Sequence, residues 1–411
     1  MSPPIVPGNP AAAAPPGKGL PRPGGRAALR PVPANLSVWL DLFRGLAALA
    51  VCICHVRAVV MVDFVPATSG FARLFYLGTG FGPEAVIIFF VLSGYLVGGE
   101  VLRRLQTGVF VGREYAMKRL SRLYAVYLAA LLLGALWDNV GWRFCNAHGR
   151  YTTDWLPTML PHPIAGQLTW TTLLGNVAFT QTLLVPTFGS NSPLWSLANE
   201  AWYYLLFPLL AWPLLARGSR RSRLSCLIVA AAVIWFIRGQ VLLYFSVWLL
   251  GIIPHLLTRP LLRSVWWPAL ALVAALGLSR GHYLPFLPAF GVHLLIAACF
   301  VLVVNSLEHR PVRLPGTPGL PRFLAGFSYT LYLTHWPLAL LLAASLEQWF
   351  GLGCRMPFGP TACGLWALLI GIIYVYAWAV ADLTERHTAG LRRWLMKTAG
   401  LPMQAPATNK P

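Results

Sequence analysis

The sequence predicts an all-α polytopic membrane protein of about ten transmembrane helices, with both termini cytoplasmic. Three observations carry this. The 411 residues are 57% hydrophobic and only 11% charged, where a soluble chain carries about 25% charge. Apolar stretches recur along nearly the whole length, at 38–60, 83–99, 123–137, 194–215, 224–237, 241–257, 265–278, 289–307, 323–347 and 361–383. With the chain threaded through ten spans, 24 of the 32 Lys and Arg fall on one side and six on the other, while Arg44 and Arg57 lie in the first span. Basic loops mark the cytoplasmic face.

Residues 1–35 alternate Pro with Ala and Gly and carry Lys18, Arg22, Arg26 and Arg30. Such a segment buries no core and reads as a disordered cytoplasmic tail. It lacks the marks of a signal peptide, because the apolar stretch that follows is too long and has no clear cleavage site. Residues 36–388 form the membrane domain, and 389–411 a cytoplasmic C-terminal tail. Several stretches are shorter than the roughly 20 residues of an upright span, and 224–237 and 265–278 are the weakest. Residues 168–188 are apolar but Thr-rich, which suits a re-entrant or interfacial piece. The longest outer loop, about 138–190, is too short for a separate catalytic domain.

The net charge of +20 is largely the inner-loop bias, and no compact basic domain points to nucleic acid. The seven cysteines have no metal-ligand spacing. Most read as small buried apolar residues. Cys145 and Cys354 fall in outer loops, where a disulfide between them is one option.

Ionisable residues inside spans are costly and usually face a protein interior or a water-filled path. Arg44 and His55 are eleven residues apart in the first span. That spacing is about 20° off whole turns, so both sit on one helix face, roughly 16 Å apart along the axis. One helix thus presents a fixed cation toward the cytoplasmic end and a titratable base toward the outer half. A neutral imidazole accepts a proton from a hydroxyl, and an arginine fork holds a phosphate or carboxylate. A snorkelling cation and a satisfied core histidine are the plainer readings.

Arg119 and Arg122, three apart at the end of the first inner loop, are neighbours on a helix. They read either as a clamp for an anionic cytosolic donor or as ordinary positive-inside anchors. Glu200 lies near the outer start of a span among aromatics, where a carboxylate can orient a histidine or bind sugar hydroxyls. The alternative is an aromatic belt with one paired acid. Glu84 is a second acid at an outer span start. His335 is a mid-span histidine two residues before Pro337. No Gly-x-Ser-x-Gly elbow or other strong nucleophile signature is present.

Four segments together resemble the acyltransferase-3 family of bacterial integral-membrane acyltransferases. They are Arg44-Gly-Leu-Ala-Ala…His55, Phe89-Phe-Val-Leu-Ser93-Gly-Tyr-Leu96, Pro193-Leu-Trp195-Ser196-Leu…Glu200, and Ser328-Tyr-Thr-Leu-Tyr-Leu-Thr-His335-Trp-Pro337. The Arg119/Arg122 pair also fits, and the likeness runs from about 37 to 386. The chain departs from the family pattern where Glu84-Ala-Val-Ile-Ile precedes Phe89, where Ala201 follows Glu200, and where His387 ends Glu385-Arg-His.

The resemblance implies an enzyme that moves an acyl group, often acetyl, from cytosolic acyl-CoA to a hydroxyl of an extracytoplasmic or exported carbohydrate. It implies His55 and Glu200 as catalytic residues and Arg44, Arg119 and Arg122 as donor-binding ones. Glu84, Ser93, Trp195, Ser196 and His335 are left as acceptor-site or supporting residues. Acyl-CoA is then a co-substrate with no bound cofactor or metal. The partners are donor, carbohydrate and the lipid bilayer of the inner (plasma) membrane. Competing readings are a small-molecule acceptor, another acyl group such as succinyl, or a transporter of glycans or lipid-linked sugars. A transporter is expected to show paired repeats or broken helices, and none is visible in the sequence.

Overall fold

A computed structural model describes residues 32–65, 69–156, 159–160, 162–216, 218–280, 287–310, 312–314 and 317–400. Residues 1–31 of the expected N-terminal tail and 401–411 of the C-terminal tail lie outside the described residues. Among those described there is no strand.

The helices are α1 (Ala34–Val60), α2 (Gly70–Gly78), α3 (Gly82–Ser93), α4 (Gly99–Gln106), α5 (Gly112–Phe144), α6 (Trp170–Val177), α7 (Trp195–Leu215) and α8 (Arg220–Phe236). They continue as α9 (Gln240–Leu250), α10 (Ile253–Leu256), α11 (Trp266–Arg280), α12 (Ala289–His309), α13 (Gly319–Gly326), α14 (Ser328–Phe350), α15 (Pro360–Leu383) and α16 (Thr388–Thr398). Helix thus occupies every apolar stretch seen in the sequence. Five helical segments are long and apolar enough to cross a membrane by length and composition: Ala34–Val60, Gly70–Gln106, Gly112–Phe144, Ala289–His309 and Pro360–Thr398. The chain is a multi-pass membrane protein.

α1 is central and packs on α3, α13, α14 and α15, while α14 also packs on α5. The last carbonyls of α1 have no partner within the helix. Arg355 N–H donates to Val59 O (2.9 Å) and Met356 N–H to Val60 O (2.7 Å).

Some boundaries differ from the sequence reading. The stretch at 123–137 lies inside α5, which starts at Gly112 because its basic first turns stay helical, with Glu114 paired to Lys118 at 2.6 Å. The stretch at 241–257 ends as helix at Leu250 and resumes as the single turn α10. The stretch at 323–347 breaks at Phe327 between α13 and α14. Only α6 within 168–188 is helical, and irregular backbone follows it. Irregular backbone at membrane depth needs internal partners. Here Tyr127 Oη donates to Asn176 O (2.8 Å), Tyr124 Oη to Val177 O (2.7 Å) and Trp202 Nε1 to Phe179 O (2.8 Å).

The Cys145–Cys354 option is not taken, as both thiols are free. Cys145 Sγ lies 3.2 Å from Ser345 Oγ. Burial pushes the Cys354 thiol up, beside the Arg150–Glu347 ion pair, whose Nε–Oε2 contact is 2.7 Å.

Between α3 and α4 the chain makes one π-helical turn, Gly94–Gly98. Such turns shift helix register and frequently sit at functional sites. It begins directly after Ser93 and crosses α9 at close range. A Cβ on Gly94 would run into Trp248 O, and one on Gly251 into Val91 O. Neither obstacle is a movable side chain. Gly94→Ala and Gly251→Ala are each expected to lower stability by about 1–3 kcal/mol, read as a lower thermal unfolding temperature in detergent. A control, Gly371→Ala, has open space where its Cβ would go.

Candidate active site

α1 directs both Arg44 and His55 at the α13–α14 side. Arg44 Nη2 lies 3.2 Å from Asp41 Oδ1 and donates to Ala325 O (3.3 Å). Its side chain is 32% exposed, because it forms one wall of a cavity of about 180 Å³. The same cavity is lined by Ser93 from α3, Arg119 and Arg122 from α5, and Ser196 and Glu200 from α7. Six residues chosen from the sequence therefore converge on one space, from four helices.

The three cations are matched by carboxylates. Arg122 Nη1 sits 3.0 Å from Glu385 Oε1, and Glu385 Oε2 accepts from Thr330 Oγ1 at 3.0 Å. Arg119 pairs with Glu100. Rings complete the cradle, with Arg122 over Tyr329 at 4.8 Å and Arg119 over Tyr204 at 5.8 Å. The cavity therefore presents compensated cations rather than bare charge.

Glu200 is held by hydroxyls. Its Oε1 accepts from Ser93 Oγ (2.5 Å) and from Tyr204 Oη, and Ser93 Oγ accepts from Trp248 Nε1 (3.0 Å). Among the described residues no histidine hydrogen-bonds it.

The partner of His55 is His335 on α14. Their Nδ1 and Nε2 atoms lie 2.8 Å apart, with rings stacked at 5.1 Å and Trp336 at 4.9 Å from His55. His335 Nδ1 faces two carbonyls, Leu331 O and Tyr332 O, each at 2.9 Å. Carbonyls only accept, so Nδ1 carries the proton. In the neutral ring Nε2 then accepts from His55 Nδ1–H, which leaves the lone pair of His55 on Nε2. His335 is fully buried, whereas His55 is partly exposed. The open ring thus has its free nitrogen defined by the closed one.

Tyr332 joins the two levels. It lines the arginine cavity, its ring lies 6.3 Å from His335, and its Oη is 2.7 Å from Ser196 Oγ. Two sequence candidates lie elsewhere. Glu84 is buried and accepts from Ser279 Oγ at 2.7 Å, facing α11 and not the cavity. Trp195 packs on Phe90 and Tyr244, both at 6.0 Å. Tyr332, Tyr204, Asp41 and Glu385 went unselected in the sequence. Tyr332, three residues before His335, Asp41, three before Arg44, and Tyr204, four after Glu200, each stand at a helix spacing that could have pointed to them. Among the described residues no three His, Cys, Asp or Glu side chains converge as metal ligands do.

Residues 37–381 match the family described as an acyltransferase domain. The match covers most of the chain, which belongs to this family and is an acyltransferase of the kind that transfers groups other than aminoacyl. Acyltransferase MdmB of Streptomyces mycarofaciens is 26% identical over 328 residues, 71% of this chain and 76% of that protein. An uncharacterized protein of Haemophilus influenzae is 24% identical over 153 residues, 36% of this chain and 56% of its own length. No solved structure matches.

Ser93→Ala removes a donor to Glu200 and the acceptor of Trp248 Nε1 together. Tyr204→Phe removes one hydroxyl. Both are expected to destabilise by about 1–3 kcal/mol, Ser93→Ala by more, as read from thermal unfolding of the purified variants.

Proposed function

We propose, from the chain's membership of the acyltransferase-domain family, that it moves an acyl group from cytosolic acyl-CoA to a hydroxyl of an extracytoplasmic or exported carbohydrate. Acetyl is the acyl group that the resemblance favours. In this reading the chain spans the inner (plasma) membrane ten times, its membrane domain is 36–388, and both termini are cytoplasmic. The inner-loop charge bias supports that orientation.

The observation that carries the proposal is the His55–His335 pair. General-base catalysis needs an unprotonated nitrogen aimed at open space and held there. The carbonyl–His335–His55 chain supplies the tautomer and the orientation, as the carboxylate does in a hydrolase triad. His55 Nε2 takes the proton of the acceptor hydroxyl as its oxygen attacks the thioester carbonyl. The C–S bond then breaks, and the same proton goes to the departing CoA thiolate. Ester and free CoA thiol are the products.

Arg44, Arg119 and Arg122 hold the phosphates of the donor, displacing Asp41, Glu100 and Glu385 from their present pairs. The roughly 16 Å along α1 between Arg44 and His55 is the distance that the pantetheine arm covers. Glu200, through Oε2, which neither Ser93 nor Tyr204 engages, meets substrate hydroxyls. Ser196 positions Tyr332 and so the carbonyl beneath His335.

Mass spectrometry of surface polysaccharide, from cells with and without the gene, tests the reaction. Wild type is expected to add one acyl mass, and His55→Ala none, at unchanged expression and insertion. A well-inserted His55→Ala that still acylates removes His55 as the base. An unmodified glycan exported in lower amount points to transport instead. His335→Leu keeps the volume and loses the tautomer lock. It is expected to lower kcat on the order of 10²-fold while leaving the KM for acyl-CoA near wild type. Arg44→Lys replaces a planar fork with a point charge and is expected to raise that KM about tenfold.

A further inference from the structure

A second concavity lies between α5, α7 and α8. It holds about 600 Å³, and its walls are almost wholly apolar, with Leu120, Leu205, Leu209 and Trp212 among them. That volume is within the range of ligand sites. From Gly112 to Leu123, both in its wall, α5 rises roughly 16 Å. One leaflet offers about 15 Å of hydrocarbon, half the usual core. The groove is as long as the part of a lipid chain that a leaflet contains.

Its two ends differ. One end reaches Gly112 and Cys226. Arg113 follows Gly112, and Arg220, Arg221 and Arg223 crowd the first turn of α8, Arg223 one turn before Cys226. All four are exposed. Among the described residues none is paired with a carboxylate, and the bond that Arg223 makes is to Ala216 O at 3.0 Å. By contrast Arg104, Arg119 and Arg122, away from this rim, all have acidic partners. Unneutralised arginines at the membrane-facing mouth of an apolar groove complement a phosphate joined to an acyl chain.

We propose that this groove binds one anionic phospholipid, its phosphate at the Arg113/Arg220/Arg221/Arg223 rim and one acyl chain along α5. The far end of the groove is walled by Arg119, Leu123 and Tyr204, which also line the arginine cavity. The chain tip therefore packs against the ring that donates to Glu200, and lipid occupancy braces the site wall. The binding stands apart from the proposed reaction; only its effect on rate rests on that reading.

The test places the purified full-length protein in nanodiscs of phosphatidylcholine alone or with added phosphatidylglycerol. Retained lipid is read by native mass spectrometry, and stability by thermal unfolding. Wild type is expected to keep one phosphatidylglycerol through detergent exchange and to gain unfolding temperature from that lipid only. The Arg220→Gln/Arg221→Gln/Arg223→Gln variant is expected to lose affinity roughly fivefold per arginine. Cys226→Trp, which fills the mouth, is expected to lose the bound lipid. Equal retention of both lipids by wild type and the triple variant overturns the proposal in favour of ordinary boundary lipid. A dimer that carries no lipid overturns it in favour of a second copy over the groove. Acyl transfer, measured separately, is expected to rise with phosphatidylglycerol in wild type and not in Cys226→Trp. Lipid binding without that rise overturns the bracing alone.

Discussion

A backbone carbonyl released by a proline inside a bilayer has to find a donor within the protein, and two such carbonyls tie the site together. Pro208 removes the N–H that would bond Tyr204 O, and Tyr115 Oη on α5 donates to it instead, at 2.9 Å. Pro337 does the same to Leu333 O, which accepts from Asn191 Nδ2 at 2.9 Å. The first repair locks α7 to α5 beside Arg119 and Glu200. The second locks the segment leading into Trp195-Ser196 to α14, two residues from His335. Each proline weakens its own helix and thereby makes a polar joint between helices that apolar packing alone would let slide.

The charge arrangement follows the same constraint. Paired cations line the interior cavity, where an unpaired ion would be expensive. Arg113, Arg220, Arg221 and Arg223, without acidic partners among the described residues, lie on the exposed first turns of α5 and α8, where a headgroup or water can compensate them. Arg122 is bound to Glu385, brought from the far end of the chain across α5. Arg113, nine residues earlier, has no such partner among the described residues.

How much was legible in the sequence follows from the range of each interaction. The shared face of Arg44 and His55 is a property of one helix, and helical spacing is enough to find it. The convergence of Ser93, Arg119, Arg122, Ser196 and Glu200 was reached through their motifs, each local in sequence. The histidine pair joins positions 280 residues apart, and neither partner announces the other. Glu200 looked able to orient a histidine because acid near base is the commoner arrangement; its actual donors are hydroxyls. Glu84 shares a helix with Ser93, yet its side chain bonds Ser279, and no short-range pattern distinguishes those two faces in a helix apolar all round. Span limits drifted for a related reason. Hydropathy reports the solvent that a side chain prefers, whereas the helix of α5 continues through Arg113–Arg122 because its backbone bonds and i,i+4 pairs do not depend on that preference.

The separation of the two levels has a chemical reason. In the proposed reaction, arginines close to His55 would raise the cost of the imidazolium formed when it accepts a proton. Arg44, at the other end of α1, adds little to that cost. With Arg44 about three helical turns from His55 along α1, the proposed reaction would place anion binding and base chemistry on one helix without either group disturbing the other. Tyr332 then bridges the gap through hydrogen bonds and ring contact, and so carries geometry between the levels with no formal charge of its own.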